Sequence, residues 1–114
     1  MIKQLIAAIE PLGYPIFLQG SLNDNEAYPE SFFTYWNFQA NDTKAFDNDA
    51  SICEWGYWLY FYSSNPTLVE TEILRAKELL KKAGFEVWGK GEDIKSDVIS
   101  HTGRMITAYF YENY

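Results

Sequence analysis

Few residues in the chain have chemistry to offer. His101, the one histidine, follows Asp97 and the pair Glu92 and Asp93, a set from which a metal or acid/base site can be imagined. Beside it there is a single cysteine, Cys53, so zinc would have to take its remaining ligands from carboxylates. A loop histidine hydrogen-bonded to Asp97 or to backbone is the simpler expectation. Asp93, Ile94 and Lys95 match the D-x-K end of a metal-dependent nuclease signature, in which a carboxylate holds Mg²⁺ and a lysine stabilises charge. Three residues recur by chance, and Gly89, Gly91 and Ser96 around them predict a loop where a rigid site wants a strand. The same two glycines precede acids that would repel phosphate, so they form no phosphate cradle. Asp42, Asp47 and Asp49 lack the alternating ligands and central glycine of a calcium loop and are expected in a solvated loop. Ser100, His101 and Asp97 lie too close in sequence for triad geometry. No catalytic residue, metal ligand or cofactor site is expected, and hence no enzyme.

The elements that would position these residues follow from periodicity. Ile2, Leu5, Ile6, Ile9 and Leu12 recur at helical spacing until Pro11 and Gly13 stop the pattern, which predicts a short amphipathic helix over residues 2 to 11. Residues 15 to 22 alternate weakly and run into Asn23, Asp24, Asn25 and Glu26, a strand followed by a loop. Residues 31 to 39 and 52 to 63 are aromatic and β-favouring, with a polar connection over residues 41 to 51. Asn65 as N-cap and Pro66 at the first helical position open a second helix; Thr67 with Glu70 offers an alternative capping box. Leu68, Val69, Ile73, Ala76, Leu79, Leu80 and Ala83 form its apolar stripe, Lys81 and Lys82 suit its C-terminal dipole, and Gly84 is its C-cap. Residues 85 to 88 predict a short strand, residues 89 to 100 a polar connection, and residues 104 to 111 a closing strand.

Strand faces say more. The closing strand sets Ile106, Ala108 and Phe110 on one side and Met105, Thr107, Tyr109 and Tyr111 on the other. The middle strand sets Cys53, Trp55, Tyr57, Leu59 and Phe61 opposite Gly56, Trp58, Tyr60 and Tyr62, so neither side is plainly built for water. Two helices on one side leave Trp58, Tyr60, Tyr62, Tyr109 and Tyr111 for something else. A large apolar patch of that kind marks an interface, and oligomerisation through the sheet is expected; the plainer alternative is a larger core or loops folded over that side.

Composition sets the bounds. At 114 residues the chain has length for one domain, over residues 1 to 114. Aromatics make up 18% of it, including nine tyrosines, which favours a surface that a partner covers. A net charge of −7 lacks the basic stripe of a nucleic-acid binder. One cysteine excludes an internal disulfide and fits a reducing compartment. Neither a signal peptide nor a membrane span is expected, because Glu10 cuts the first apolar run.

Several runs look like a known group: Phe32, Phe33, Thr34, Tyr35, Trp36 and Asn37; Phe46, Asp47 and Asn48; Phe61, Tyr62 and Ser63 with Asn65, Pro66, Leu68 and Val69. To these add Ala83, Gly84 and Phe85; Gly89, Lys90 and Gly91 with Asp93; and Ser96 and Asp97 followed by His101, Thr102, Gly103 and Arg104. Together they resemble small phage and prophage proteins of Gram-positive bacteria, similar to tail-terminator or tail-completion proteins. The resemblance implies a ring homo-oligomer, such as a hexamer, at the head-proximal end of a long-tailed phage's tail tube. Such a ring ends tube polymerisation and joins tail to head. Its partners would be other copies of itself, the tail tube protein and head-connector proteins, with DNA only as passing cargo and no membrane. It would lie in the host cytoplasm during assembly and then in the virion neck.

The expected fold is α+β, a mainly antiparallel sheet of four or five strands with both helices on one face. The expected interface holds Trp58, Tyr60, Tyr62, Tyr109, Tyr111 and Arg104, the last paired with Asp97 or with an acid of a neighbouring subunit. The rival expectation is a small acidic binding or inhibitor module of prophage origin acting on a host protein.

Overall fold

The computed structural model describes residues 2–18, 29–44, 51–95 and 101–113. Leu5 and Ile9 bury one side of helix α1 (Ile2–Ile9). Pro11 cannot continue its hydrogen bonds, so the chain tightens into a 3₁₀ turn over Glu10–Leu12 and leaves it at Gly13, whose φ of +82° suits glycine. The α-helix is therefore two residues shorter than its apolar spacing predicts. Strand β1 (Ile16–Leu18) follows; the rest of the expected strand and loop lies outside the described residues.

Strands β2 (Ser31–Lys44) and β3 (Ser51–Ser63) pair antiparallel from Ser31 opposite Ser63 to Lys44 opposite Ser51. β2 thus continues through Asn41, Asp42, Thr43 and Lys44, where the polar composition predicts a loop. A full ladder on β3 outweighs weak local propensity, and Asp42 falls opposite Cys53 in a strand.

Helix α2 (Pro66–Lys82) begins as expected, with Asn65 Oδ1 accepting from the Thr67 N–H at 3.1 Å and Pro66 at the first helical position. It ends with Ala83, not Gly84, at the C-cap. Gly84 stands one residue beyond, at φ +98°, where its N–H reaches the Lys81 carbonyl at 3.1 Å and the Phe85 N–H reaches that of Leu80 at 2.9 Å.

Strands β4 (Glu86–Val87), β5 (Glu92–Lys95) and β6 (Thr102–Asn113) complete a six-stranded sheet in the order β1-β2-β3-β6-β4, with β5 also on β6. The α+β class stands, while the strand count exceeds the expected four or five. The extra strand is β5, inside a stretch too polar to read as one: the open edge of β6 supplies its partners, from Glu92 opposite Met105 to Lys95 opposite Thr102. The β1 and β2 pair is parallel, so the sheet is mixed; every other pairing is antiparallel.

Both helices contribute to one core on one side of the sheet. Leu5 and Ile9 of α1, and Val69, Ile73, Ala76 and Leu80 of α2, cluster with Phe33, Tyr57, Leu59, Phe61, Ile106 and Ala108. The sheet members of that set share one strand parity, which leaves the alternate residues on the far side.

Candidate functional site

The far side is laid out in rows across β2, β3 and β6. Phe32, Tyr62 and Gly103 make one row; Thr34, Tyr60 and Met105 the next; Trp36, Trp58 and Thr107 the third. A β-bulge between Asn37 and Gln39 then adds Phe38. Asn37 fastens the bulge by donating from Nδ2 to the carbonyls of Gln39 (2.8 Å) and Gly56 (2.9 Å). Phe38 lies over Gly56, where a Cβ would come within 2.6 Å of its ring. It stacks on Trp58 at 4.8 Å between centroids and meets Tyr109 edge-on at 5.9 Å.

Trp58, Tyr60 and Tyr109 are half-buried, whereas Trp36 and Tyr111 are 44% and 48% exposed. Of the expected interface residues, these four tyrosine and tryptophan positions of β3 and β6 do share one face. Tyr62 is on that face but only 8% exposed. It stacks on Phe32 at 5.4 Å and covers Gly103, where a Cβ would meet its ring at 2.6 Å. Tyr62 is thus a packing residue. Gly103 excludes a side chain for lack of space, not for an unusual backbone angle.

Sequence reasoning missed Trp36 and Phe38. The available signal was Gly56, a glycine inside an aromatic strand, which marks a bulge or a close approach.

The aromatic face is edged with acid. Glu54 is in register with Tyr111, Glu86 with Tyr109 and Glu92 with Met105, so all three belong to this face. No lysine or arginine occupies a described β3, β4, β5 or β6 position of that parity. Burial raises the Tyr60 hydroxyl pKa above the ordinary value. Burial, then the Glu54 and Glu86 carboxylates, raise that of Tyr111.

Arg104 is elsewhere. It shares the parity of Ile106 and Ala108, and among the described residues its guanidinium is engaged by its own chain; Asp97, one of its two expected partners, lies outside the described residues. Arg104 donates to the carbonyls of Lys90 (3.0 Å) and Gly91 (3.2 Å) and to Asp93 Oδ1 (2.6 Å). This leaves the D-x-K motif in strand β5, not in the expected loop, with its carboxylate tied to an arginine. His101 Nε2 lies 2.9 Å from the Pro29 carbonyl oxygen, the backbone alternative of its two expected partners. Asp47, Asp49, Ser96, Asp97 and Ser100 lie outside the described residues. Among the described residues no three His, Cys, Asp or Glu side chains gather as metal ligands.

On the helical side, Glu72 is buried and holds Arg75, whose Nη1 donates to both carboxylate oxygens at 3.0 and 3.1 Å. Burial and the Glu72 carboxylate, which is hydrogen-bonded to it, raise the Tyr14 pKa; Arg75 opposes them. Beside this pair, Pro11, Leu12, Leu74, Arg75, Glu78 and Leu79 line an open groove of about 440 Å³. The chain matches no family model and no curated protein.

Proposed function

We propose that the chain is an assembly subunit whose sheet face forms its contact with further copies. By its resemblance to tail-terminator proteins, that assembly is a ring that ends a phage tail tube and meets the head. The observation that supports it best is the aromatic face of β2, β3 and β6, on the side away from both helices, with Trp36 and Tyr111 nearly half exposed. Apolar area of this kind is favourable to bury, at roughly 25 cal/mol per Å². Tyrosine and tryptophan add hydrogen-bonding tips at low entropy cost.

The test is solution mass across a concentration series. Wild-type protein is expected to assemble, and Tyr60→Glu or Tyr109→Glu to remain monomeric with unchanged circular dichroism, because an unpaired charge in a closed interface is costly. Unchanged assembly of both variants would overturn the proposal.

The acidic edge of the same face supports a second reading, a binding module for a cationic host protein. Its mark would be a wild-type chain that stays monomeric at every concentration and binds a basic partner through Glu54, Glu86 and Glu92.

A further inference from the structure

We infer that the surface receiving the aromatic face is the outer helical layer of the next copy, so that subunits join back to front. The inference rests on the self-association proposed above and adds which two surfaces meet.

Face-to-face pairing about a two-fold axis would bring Glu54, Glu86 and Glu92 of both copies into one contact. No cation of the same faces of β3, β4, β5 or β6 would offset them, and juxtaposed like charges oppose association. The opposite side of the same domain carries what the acids lack. From Glu72 to Lys82, α2 holds four cations, Arg75, Lys77, Lys81 and Lys82, against Glu78 and the buried Glu72; Arg75 is paired with Glu72, and Lys77 donates to the Gly89 carbonyl. Lys81 and Lys82 are exposed at the helix's C-terminal turn. Alongside, the groove of Pro11, Leu12, Leu74 and Leu79 offers an apolar recess of about 440 Å³ to an aromatic side chain such as Trp36. One copy therefore presents aromatic rings edged with carboxylates, and its reverse presents an apolar groove, with Arg75 and Glu78 in its lining, on a helix that ends in the exposed cations Lys81 and Lys82.

Two different patches on opposite sides make a heterologous contact. Each added copy leaves one patch of each kind open, and the series ends only by closing on itself. A symmetric pair would instead use up the aromatic face at two copies.

Charge reversal on each surface tests this, read by sedimentation velocity over a concentration series. Glu86→Lys with Glu92→Lys, and separately Lys81→Glu with Lys82→Glu, are each expected to weaken association about tenfold or more. An equimolar mixture of the two double variants is expected to recover it, since every contact then again joins opposite charges.

Loss in the sheet variant with none in the helix variant would overturn back-to-front packing while leaving self-association through the sheet intact. Loss in both without recovery on mixing would overturn it too. A wild-type chain that is monomeric throughout would overturn both this inference and the self-association beneath it. If circular dichroism shows α2 damaged by the two glutamates, Lys81→Gln with Lys82→Gln must by itself weaken association, or the inference fails.

Discussion

Tyr57 is fully buried on the central strand, yet among the described residues its hydroxyl has no hydrogen-bond partner, and burial, then Cys53, Glu112 and Tyr35, push its pKa up to about 12. A buried hydroxyl without a partner opposes folding, so Tyr57→Phe should leave stability unchanged or raise it by about 1 kcal/mol in urea unfolding. The pH dependence has a definite sign. In the unfolded chain the group ionises near the ordinary value of 10.0, and in the folded one near 12. Its contribution is thus complete below pH 10 and is lost as pH rises toward 12. Urea midpoints between those values should fall less steeply for Tyr57→Phe than for wild type; equal slopes would assign the alkaline loss to other groups. Gly103 makes a steric prediction. Gly103→Ala should cost about 1–3 kcal/mol by displacing the Tyr62 ring, and much less in a Tyr62→Ser background. An equal cost in both backgrounds would place the strain at the Ile94 carbonyl, the other near neighbour.

Helix α2 was legible because three independent signals agree on it: an Asn65 cap with Pro66, a 3.6-residue apolar stripe, and Lys81, Lys82 and Gly84 at its end. β5 was not, because Glu92, Asp93, Ile94 and Lys95 show no alternation of apolar and polar residues, and what makes them a strand is the edge of β6. That edge is fastened by Arg104. Asp93 is 87% exposed, so its ion pair contributes little; the two carbonyl bonds, which fix the chain around Gly91, are the stronger hold. Arg104→Ala should accordingly speed hydrogen exchange over β5 and the facing part of β6 and lower the melting temperature. Arg104→Lys should not restore either, because a single ammonium cannot span both carbonyls and Asp93. Full recovery with lysine would mean that charge alone sufficed. The bulge at Phe38 was equally hidden, since it depends on Asn37 reaching two carbonyls of different strands.

For the molecule as a whole, the aromatic face was half legible. Alternation separated Tyr60 and Tyr109 from the core, but burial of Tyr62, exposure of Trp36 and the acidic edge all depend on which strands are neighbours. Tryptophan emission offers a check on the proposed assembly. If Trp36 enters the contact, emission should shift to the blue and acrylamide quenching should fall over the same concentrations at which mass rises. Constant emission with rising mass would move the contact away from this face. The sheet order carries a further consequence, one of timing. β6, made after every other described strand, is inserted between β3 and the pair β4 and β5. A ribosome that has not yet released Thr102–Asn113 therefore holds a chain with β3 unpartnered on one side and β4 and β5 without their partner. Tyr109 and Tyr111 are also missing from the aromatic face until then. If the aromatic face is the contact between copies, as proposed, an incomplete nascent chain cannot join through a surface it has yet to finish, and translation itself would keep half-made copies out.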